Sequence, residues 1–278
     1  MVGRRFDVAL DSREAMSIIR AISLGAGVQS TTLALMAKEG LIGPMPDAAI
    51  FADTGWEPKS VYDHLEKLED ALPFPVIRVS AGNLRSDLLA ASNSTGQRFA
   101  AVPWFLKMPN GDAAMGRRQC TAEYKLRPIQ RKIVEMMGGK RPKGGAEVWI
   151  GISTDEAIRM KPSRVQYINN RWPLIEQRIN RSDCLAWLNR YGWSAPKSSC
   201  VGCPFHSNAQ WRELKSNSPE EWADAVEIDK AIRNQPKMRG QQFMHRSLVP
   251  LDEVDLRTSA DFGQGDLFGN ECEGMCGV

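Results

Sequence analysis

Four short apolar runs, separated by stretches of helical apolar spacing, constrain this chain more than any other feature. "RAISLG" ends at Gly25, "DAAIFAD" at Asp53, "PVIRVS" at Ser80 and "EVWIGIS" at Ser153. Between them, "STTLALMAKEG" and "SVYDHLEKLEDAL" repeat apolar residues at helical spacing and end in breaks that contain Gly or Pro. Short apolar strands alternating with helices predict a parallel sheet covered on both faces. Ligands of such sheets bind beyond the C-terminal ends of the strands. Gly25, Asp53 and Ser153 are therefore expected on one rim, whatever the strand order.

At 278 residues the chain has room for one large α/β domain, or for one domain with a sizeable appendage. Its net charge of +3 suits an anionic ligand without singling out nucleic acid. No apolar run approaches the roughly 18 residues that a membrane span needs. The first residues, "MVGRRFDVALDSREAM", carry two arginines with no apolar core behind them, unlike a secretory signal. An intracellular, cytoplasmic location with no membrane contact is the expectation. "MPNGDAAMGRRQ" reads as a mobile polar loop, and "AEYKLRPIQRKIVEMMGG" as a helix that Pro128 starts or kinks. Beyond residue 180 the pattern changes to helices and loops. There "SPEEWADAVEIDKAIRN" opens with Ser218, Pro219 and Glu221, which predicts a capping box.

The stretch "SLGAGVQST" after the first strand is a glycine-rich turn entering a helix. Gly25 and Gly27 permit a tight turn, and amides at the helix start attract an anion. Ser23, Ser30 and Thr31 add hydroxyls. The Walker A pattern fails, because no Gly-Lys-Ser/Thr follows. A dinucleotide fingerprint half-fits: two glycines are present, the third is absent, and Asp53 could meet a ribose. A glycine turn with no ligand at all is also compatible with this stretch.

Six cysteines add a second constraint: Cys120, Cys184, Cys200, Cys203, Cys272 and Cys276. In a reducing compartment their uneven spacing points to metal or redox chemistry rather than structural disulfides. Cys184, in "DCLAWL", reads instead as a small buried apolar residue. Cys200 and Cys203 form a CxxC that one turn can present to a metal, with Cys120 as a third thiolate. An iron–sulfur cluster suits all-thiolate ligation, and zinc suits a site completed by His206 of "CVGCPFH". Residue types alone leave these two open.

Larger motifs carry a family resemblance. Ser23, Gly27 and Ser30 match three positions of the PP-loop S-x-S-G-G-x-D-S, while Gly25, Ala26 and Gln29 replace Ser, Gly and Asp. "FADTGWEPKSVYDHL" resembles the Asp-Thr-Gly turn of phosphoadenosine phosphosulfate (PAPS) reductase-like proteins. "CTAEYKLRPI" resembles the "CCxxRKxxPL" segment of iron–sulfur adenylylsulfate reductases, with Cys120, Lys125 and Pro128 matching and Thr121 replacing the second cysteine. The separation of Cys120 from Cys200 is also near that which precedes CxxC there, and "GISTDEAIRMKPS" resembles the family's arginine-bearing loop. Across residues 20–206 the chain resembles the PAPS reductase-like family of the PP-loop, adenine nucleotide alpha hydrolase-like superfamily.

That resemblance implies an α/β parallel-sheet sandwich with a helical, cysteine-bearing C-terminal region. It implies a nucleotide-binding α/β domain over 1–180, followed by 181–278 with the CxxC and a cysteine-containing tail. An adenine nucleotide, ATP or PAPS/APS, would lie across the strand ends, with magnesium as a candidate companion. Ser23, Gly25, Gly27, Ser30 and Thr31 would hold phosphate, with Asp53 and Thr54 near the adenosine. Lys125 and Arg159 would neutralise phosphate or sulfate charge, Lys125 beside the reacting centre. Cys120, Cys200 and Cys203 would hold a [4Fe–4S] cluster in preference to zinc. The tail "ECEGMCGV" resembles the reductases' "ECG", so Cys272 or Cys276 would be the attacking thiol, or else a fourth metal ligand.

The expected function is therefore sulfur transfer or sulfonucleotide reduction with an adenine nucleotide, served by an electron or sulfur donor protein. ATP-dependent thiolation or phosphorothioation of tRNA or DNA is an alternative, for which "KLRPIQRK" and "KRPK" offer phosphate contacts. A nucleotide-binding protein with structural zinc is another.

Overall fold

The computed structural model describes residues 18–96, 102–235, 238–258 and 261. Each of the four apolar runs forms a strand: β1 (Ile19–Leu24), β2 (Ala48–Asp53), β3 (Val76–Ser80) and, after a hairpin, β6 (Ala146–Ile150). β2, "AAIFAD", is buried along almost its whole length, as a strand covered on both faces must be. The helices that cover the sheet include α1 (Val28–Lys38) and α2 (Lys59–Ala71), with the short α3 (Leu84–Leu89) after β3.

Between β3 and β6 the chain forms β4 (Phe105–Lys107) and β5 (Ala113–Met115). Part of the expected loop is strand: residues 113–115 form β5, which pairs with β4 in an antiparallel hairpin turning through 108–112, while 116–119 stay irregular, and β4 also pairs with β8 (Gln241–Phe243) in a three-stranded sheet. The partner lies far along the chain, so no local pattern announces it.

A π-helical turn (Thr121–Leu126) runs directly into α4 (Arg127–Met136), with Pro128 in the first turn of α4. Proline has no N–H to donate, so the helical ladder cannot pass through it unchanged, and the wide turn lies immediately upstream. A short strand, β7 (Ile168–Arg171), completes the main sheet. It is followed by α5 (Pro173–Glu176), α6 (Arg181–Arg190), α7 (Asn208–Asn217) and α8 (Pro219–Ile232).

The main sheet has five parallel strands in the order β3-β2-β1-β6-β7. The chain builds outward from β1 to β3 and then crosses back to β6 on the other side, which puts the topological switch between β1 and β6. This is the α/β parallel-sheet architecture expected from sequence. Cys184 and Leu188 of α6 join the apolar cluster formed by α1, α2 and one face of the sheet. Cys184 is fully buried there, and burial pushes its thiol up to about 11.

A second cluster, under α7 and α8, joins Trp56, Leu84, Trp104, Tyr124, Val201 and Trp211. The capping box expected at α8 is not formed, because Ser218 makes no side-chain cap bond. Glu221 is engaged elsewhere, its carboxylate accepting from the backbone N–H of Lys59 at 2.7 Å. α7 does carry a capping box, closed by Ser207 and Gln210.

Candidate functional site

At the switch point, a cavity of about 380 Å³ opens beyond the C-terminal ends of β1, β2 and β6. Ser23, Gly25, Gly27 and Ser30 line it, as expected of the glycine turn. The turn is built differently from the expectation that its glycines would supply the unusual backbone. Ala26, not Gly25 or Gly27, takes the left-handed conformation, at φ 57°. Gly27 is needed for proximity instead, since a Cβ there would lie 2.6 Å from Ser198 Oγ. Gly151, after β6, is equally constrained: its Cβ would meet the backbone N of Ser30 at 2.8 Å. Ser30 Oγ accepts from the N–H groups of Gly25 and Gly27, each at 3.2 Å, and so closes the loop on itself.

Four cationic side chains line the cavity, Lys125, Arg159, Arg181 and Lys197, against the two carboxylates Glu156 and Glu213. Arg159 donates to Glu156 Oε1 at 2.6 Å. Gln29, where the PP-loop has Asp, links three segments. Its amide nitrogen donates to Ser153 Oγ at 3.4 Å and Glu156 Oε2 at 3.3 Å, while its oxygen accepts from Arg181 Nη1 at 3.1 Å. An aspartate here would turn a negative charge toward Glu156, so the amide fits this rim better. Hydroxyls and cations converging at a helix start suit a ligand with several negative oxygens.

A second, smaller pocket of about 30 Å³ adjoins it. Cys120, Cys200 and Cys203 all line this pocket, with Thr54, Arg118, Thr121 and Lys125. Lys125 lines both pockets. The CxxC turn is docked on the turn after β2. The N–H of Val201 donates to the carbonyl of Trp56 at 2.9 Å, and a Cβ on Gly202 would fall 2.1 Å from the Trp56 ring. The Trp56 indole N–H in turn donates to Asp224 Oδ2 of α8 at 2.6 Å.

Glu57 lines neither pocket but is buried beside Lys125, which lines both. Its Oε1 accepts from Thr54 Oγ1 at 3.0 Å and from the Cys200 thiol at 3.5 Å, and lies 3.3 Å from Lys125 Nζ.

The donor set of the smaller pocket suits a thiolate-held centre, and its charge setting suits an anionic one. Arg118 donates from Nε to Thr121 Oγ1 at 3.1 Å, while its Nη2 is buried with no hydrogen-bond partner among the described residues. Thr121, in place of a second cysteine, is thus the hydrogen-bond acceptor that holds this guanidinium. Among the described residues, no three His, Cys, Asp or Glu side chains are gathered closely enough to hold a metal ion. His206 does not line the cysteine pocket. Its Nε2 is 2.8 Å from Ser199 Oγ and its ring packs on Trp211. Burial, with Lys197 nearby, lowers His206 to about 3, so its imidazole is neutral.

Other sequence-based candidates lie elsewhere. Thr31 is buried with its hydroxyl 2.9 Å from His64 Nε2, facing α2 rather than the cavity. Asp53 accepts from the Gly55 N–H at 2.7 Å and the Tyr62 hydroxyl at 2.8 Å, organising the turn. Thr54 belongs to the cysteine pocket rather than the larger cavity. Cys272 and Cys276 lie outside the described residues. Sequence reasoning missed Glu57, Arg118, Arg181, Lys197 and Ser198. Lys197 and Ser198 stand immediately before the CxxC in "KSSCVGC", and Glu57 within "DTGWEP", which are the only sequence signals they offer.

No protein-family model and no curated protein matches the chain. Among solved structures, the chain is similar to phosphoadenylyl-sulfate (PAPS) reductase from Candida auris in its phosphate complex, at a TM-score of 0.39 and 14% identity over 63% of this chain and 74% of that one.

Proposed function

We propose that the protein is an adenine-nucleotide-dependent sulfur-transfer or sulfonucleotide reductase-like enzyme. The observation that carries this reading is the contiguity of the two pockets: a hydroxyl- and cation-lined cavity at the sheet's switch point shares Lys125 with a pocket lined by three cysteines. In this reading Ser23, Ser198 and the four cations hold the phosphate or sulfate oxygens, and Gly27 lets Ser198 approach the loop. Lys125 stabilises charge that develops as the nucleotide leaves. The sulfur nucleophile attacks an activated sulfuryl or adenylylated centre, and AMP or phosphoadenosine departs with the bonding electron pair. Cys272 or Cys276, outside the described residues, is the proposed attacking thiol.

Cys120, Cys200 and Cys203 line one pocket without being gathered closely enough here to hold a single metal ion; they are the proposed ligands of a wider [4Fe–4S] centre, with Arg118 and Lys125 offsetting its negative charge. Bound there, such a centre would supply sulfur-handling or electron-transfer chemistry. His206, the fourth ligand that a Cys3His zinc site would take, does not line this pocket.

Anaerobically purified protein is expected to be brown and to contain iron and sulfide. Cys120→Ala, Cys200→Ala and Cys203→Ala are each expected to bleach it. Stoichiometric zinc without iron would overturn the cluster assignment. Lys125→Ala and Arg159→Ala should each weaken adenine-nucleotide binding measured by calorimetry, by about 1.5–3 kcal/mol for a lost charged hydrogen bond. Unchanged affinity in both variants would remove the cavity from the proposal.

A further inference from the structure

Lys125 is held by a buried carboxylate while lining the cavity in which an anion is proposed to bind. We propose that Glu57 sets the affinity of that cavity for polyanions by competing with the bound anion for the Lys125 ammonium. This inference rests on the anion-binding reading of the larger cavity and adds a residue that reading does not contain.

The geometry gives Glu57 few alternatives. Its Oε1 is 3.3 Å from Lys125 Nζ, and the same oxygen accepts from Thr54 Oγ1 at 3.0 Å and the Cys200 thiol at 3.5 Å. The Glu57 side chain is 1% exposed and that of Lys125 17% exposed, so water is a poor substitute for either partner. The glutamate is also fixed by its backbone. Gly55, two residues before it, takes φ 70° and donates to Asp53 Oδ1, and the Trp56 indole is bound to α8. Lys125, on a four-carbon stem, is the adaptable member of the pair. A polyanion entering the cavity draws the ammonium toward itself and must offset what Glu57 loses. Glu57 therefore lowers anion affinity, and does so through Lys125. By linkage, occupancy of the larger cavity is felt at a carboxylate that touches Cys200.

The test is calorimetric titration of the purified full-length protein with inorganic pyrophosphate, at constant ionic strength. Glu57→Gln, which keeps the shape and removes the charge, is expected to tighten pyrophosphate binding at least about fivefold, the lower end of usual coupling between sites. In a Lys125→Met background the same substitution should change affinity less than about twofold, because the two effects are non-additive only when they act through the pair. Glu57→Asp retains the buried charge but withdraws it by one methylene. It should tighten binding to an intermediate degree, and it serves if Glu57→Gln fails to fold. A merely structural Glu57 would give unchanged or weaker binding in every variant, which overturns the inference while leaving the anion pocket standing. Equal tightening with and without Lys125 would show simple charge repulsion and would also overturn it. If wild-type protein does not bind pyrophosphate at all, the anion-binding reading fails, and this inference with it.

Discussion

Gly202 shows how one residue can fix a site without touching a ligand. It lies between Cys200 and Cys203, and the Trp56 ring occupies the space a side chain would need, 2.1 Å from the position of a Cβ. Gly202→Ala is therefore expected to destabilise the protein by about 1–3 kcal/mol, the usual range for overpacking. Urea denaturation would measure it. The same variant should lose the proposed metal centre, where that centre is bound, faster to a chelator, because the CxxC turn must lift from Trp56. Trp56→Leu in the Gly202→Ala background should restore part of the loss. The CxxC was legible in the sequence because its two thiols are close along the chain. Glu57 was not, because its partners come from residue 125 in one segment and residue 200 in another.

Among the elements, the π-helical turn before α4 decides where Lys125 points. A residue in a π turn advances through a smaller angle than in an α-helix, so removing the turn would rotate Lys125 off the boundary between the pockets. Pro128→Ala supplies the missing N–H and permits an α-helical register from Cys120 onward. Thermal denaturation is expected to show unchanged or higher stability, while pyrophosphate affinity falls about tenfold, as for one lost charged hydrogen bond. An unchanged affinity would mean that the turn does not position Lys125. The sequence revealed Pro128 as a start or a kink, but the choice of a π turn depends on tertiary packing around it. The same limit hid the β4–β5 hairpin, whose partner β8 has only three residues and lies beyond α8. The four central strands were legible because burial on both faces demands continuous apolar runs.

At the scale of the whole molecule, burial makes three histidines sensitive to acid. His64 and His245 are lowered to about 4 and His206 to about 3, burial being the largest cause in each case. Between those values and the ordinary 6.5, the unfolded chain binds protons that the folded one does not. Folding stability should therefore be fully present above about pH 6.5 and fall as pH drops toward 4. Urea midpoints measured across this range should decline, and His64→Gln should flatten the decline; an identical slope would exclude His64 as a contributor. No helix among the described residues is long and apolar enough to cross a membrane. The three-cysteine pocket, finally, has a history within each round of synthesis. Cys120 leaves the ribosome about eighty residues before Cys200, a delay of roughly 4–16 s at ordinary elongation rates of about 5–20 residues per second. Until the CxxC arrives and docks on Trp56, Cys120 lacks the neighbours that later enclose it. The nascent chain thus passes through an interval in which this thiol can be oxidised or captured, and slow translation between these two points would lengthen it.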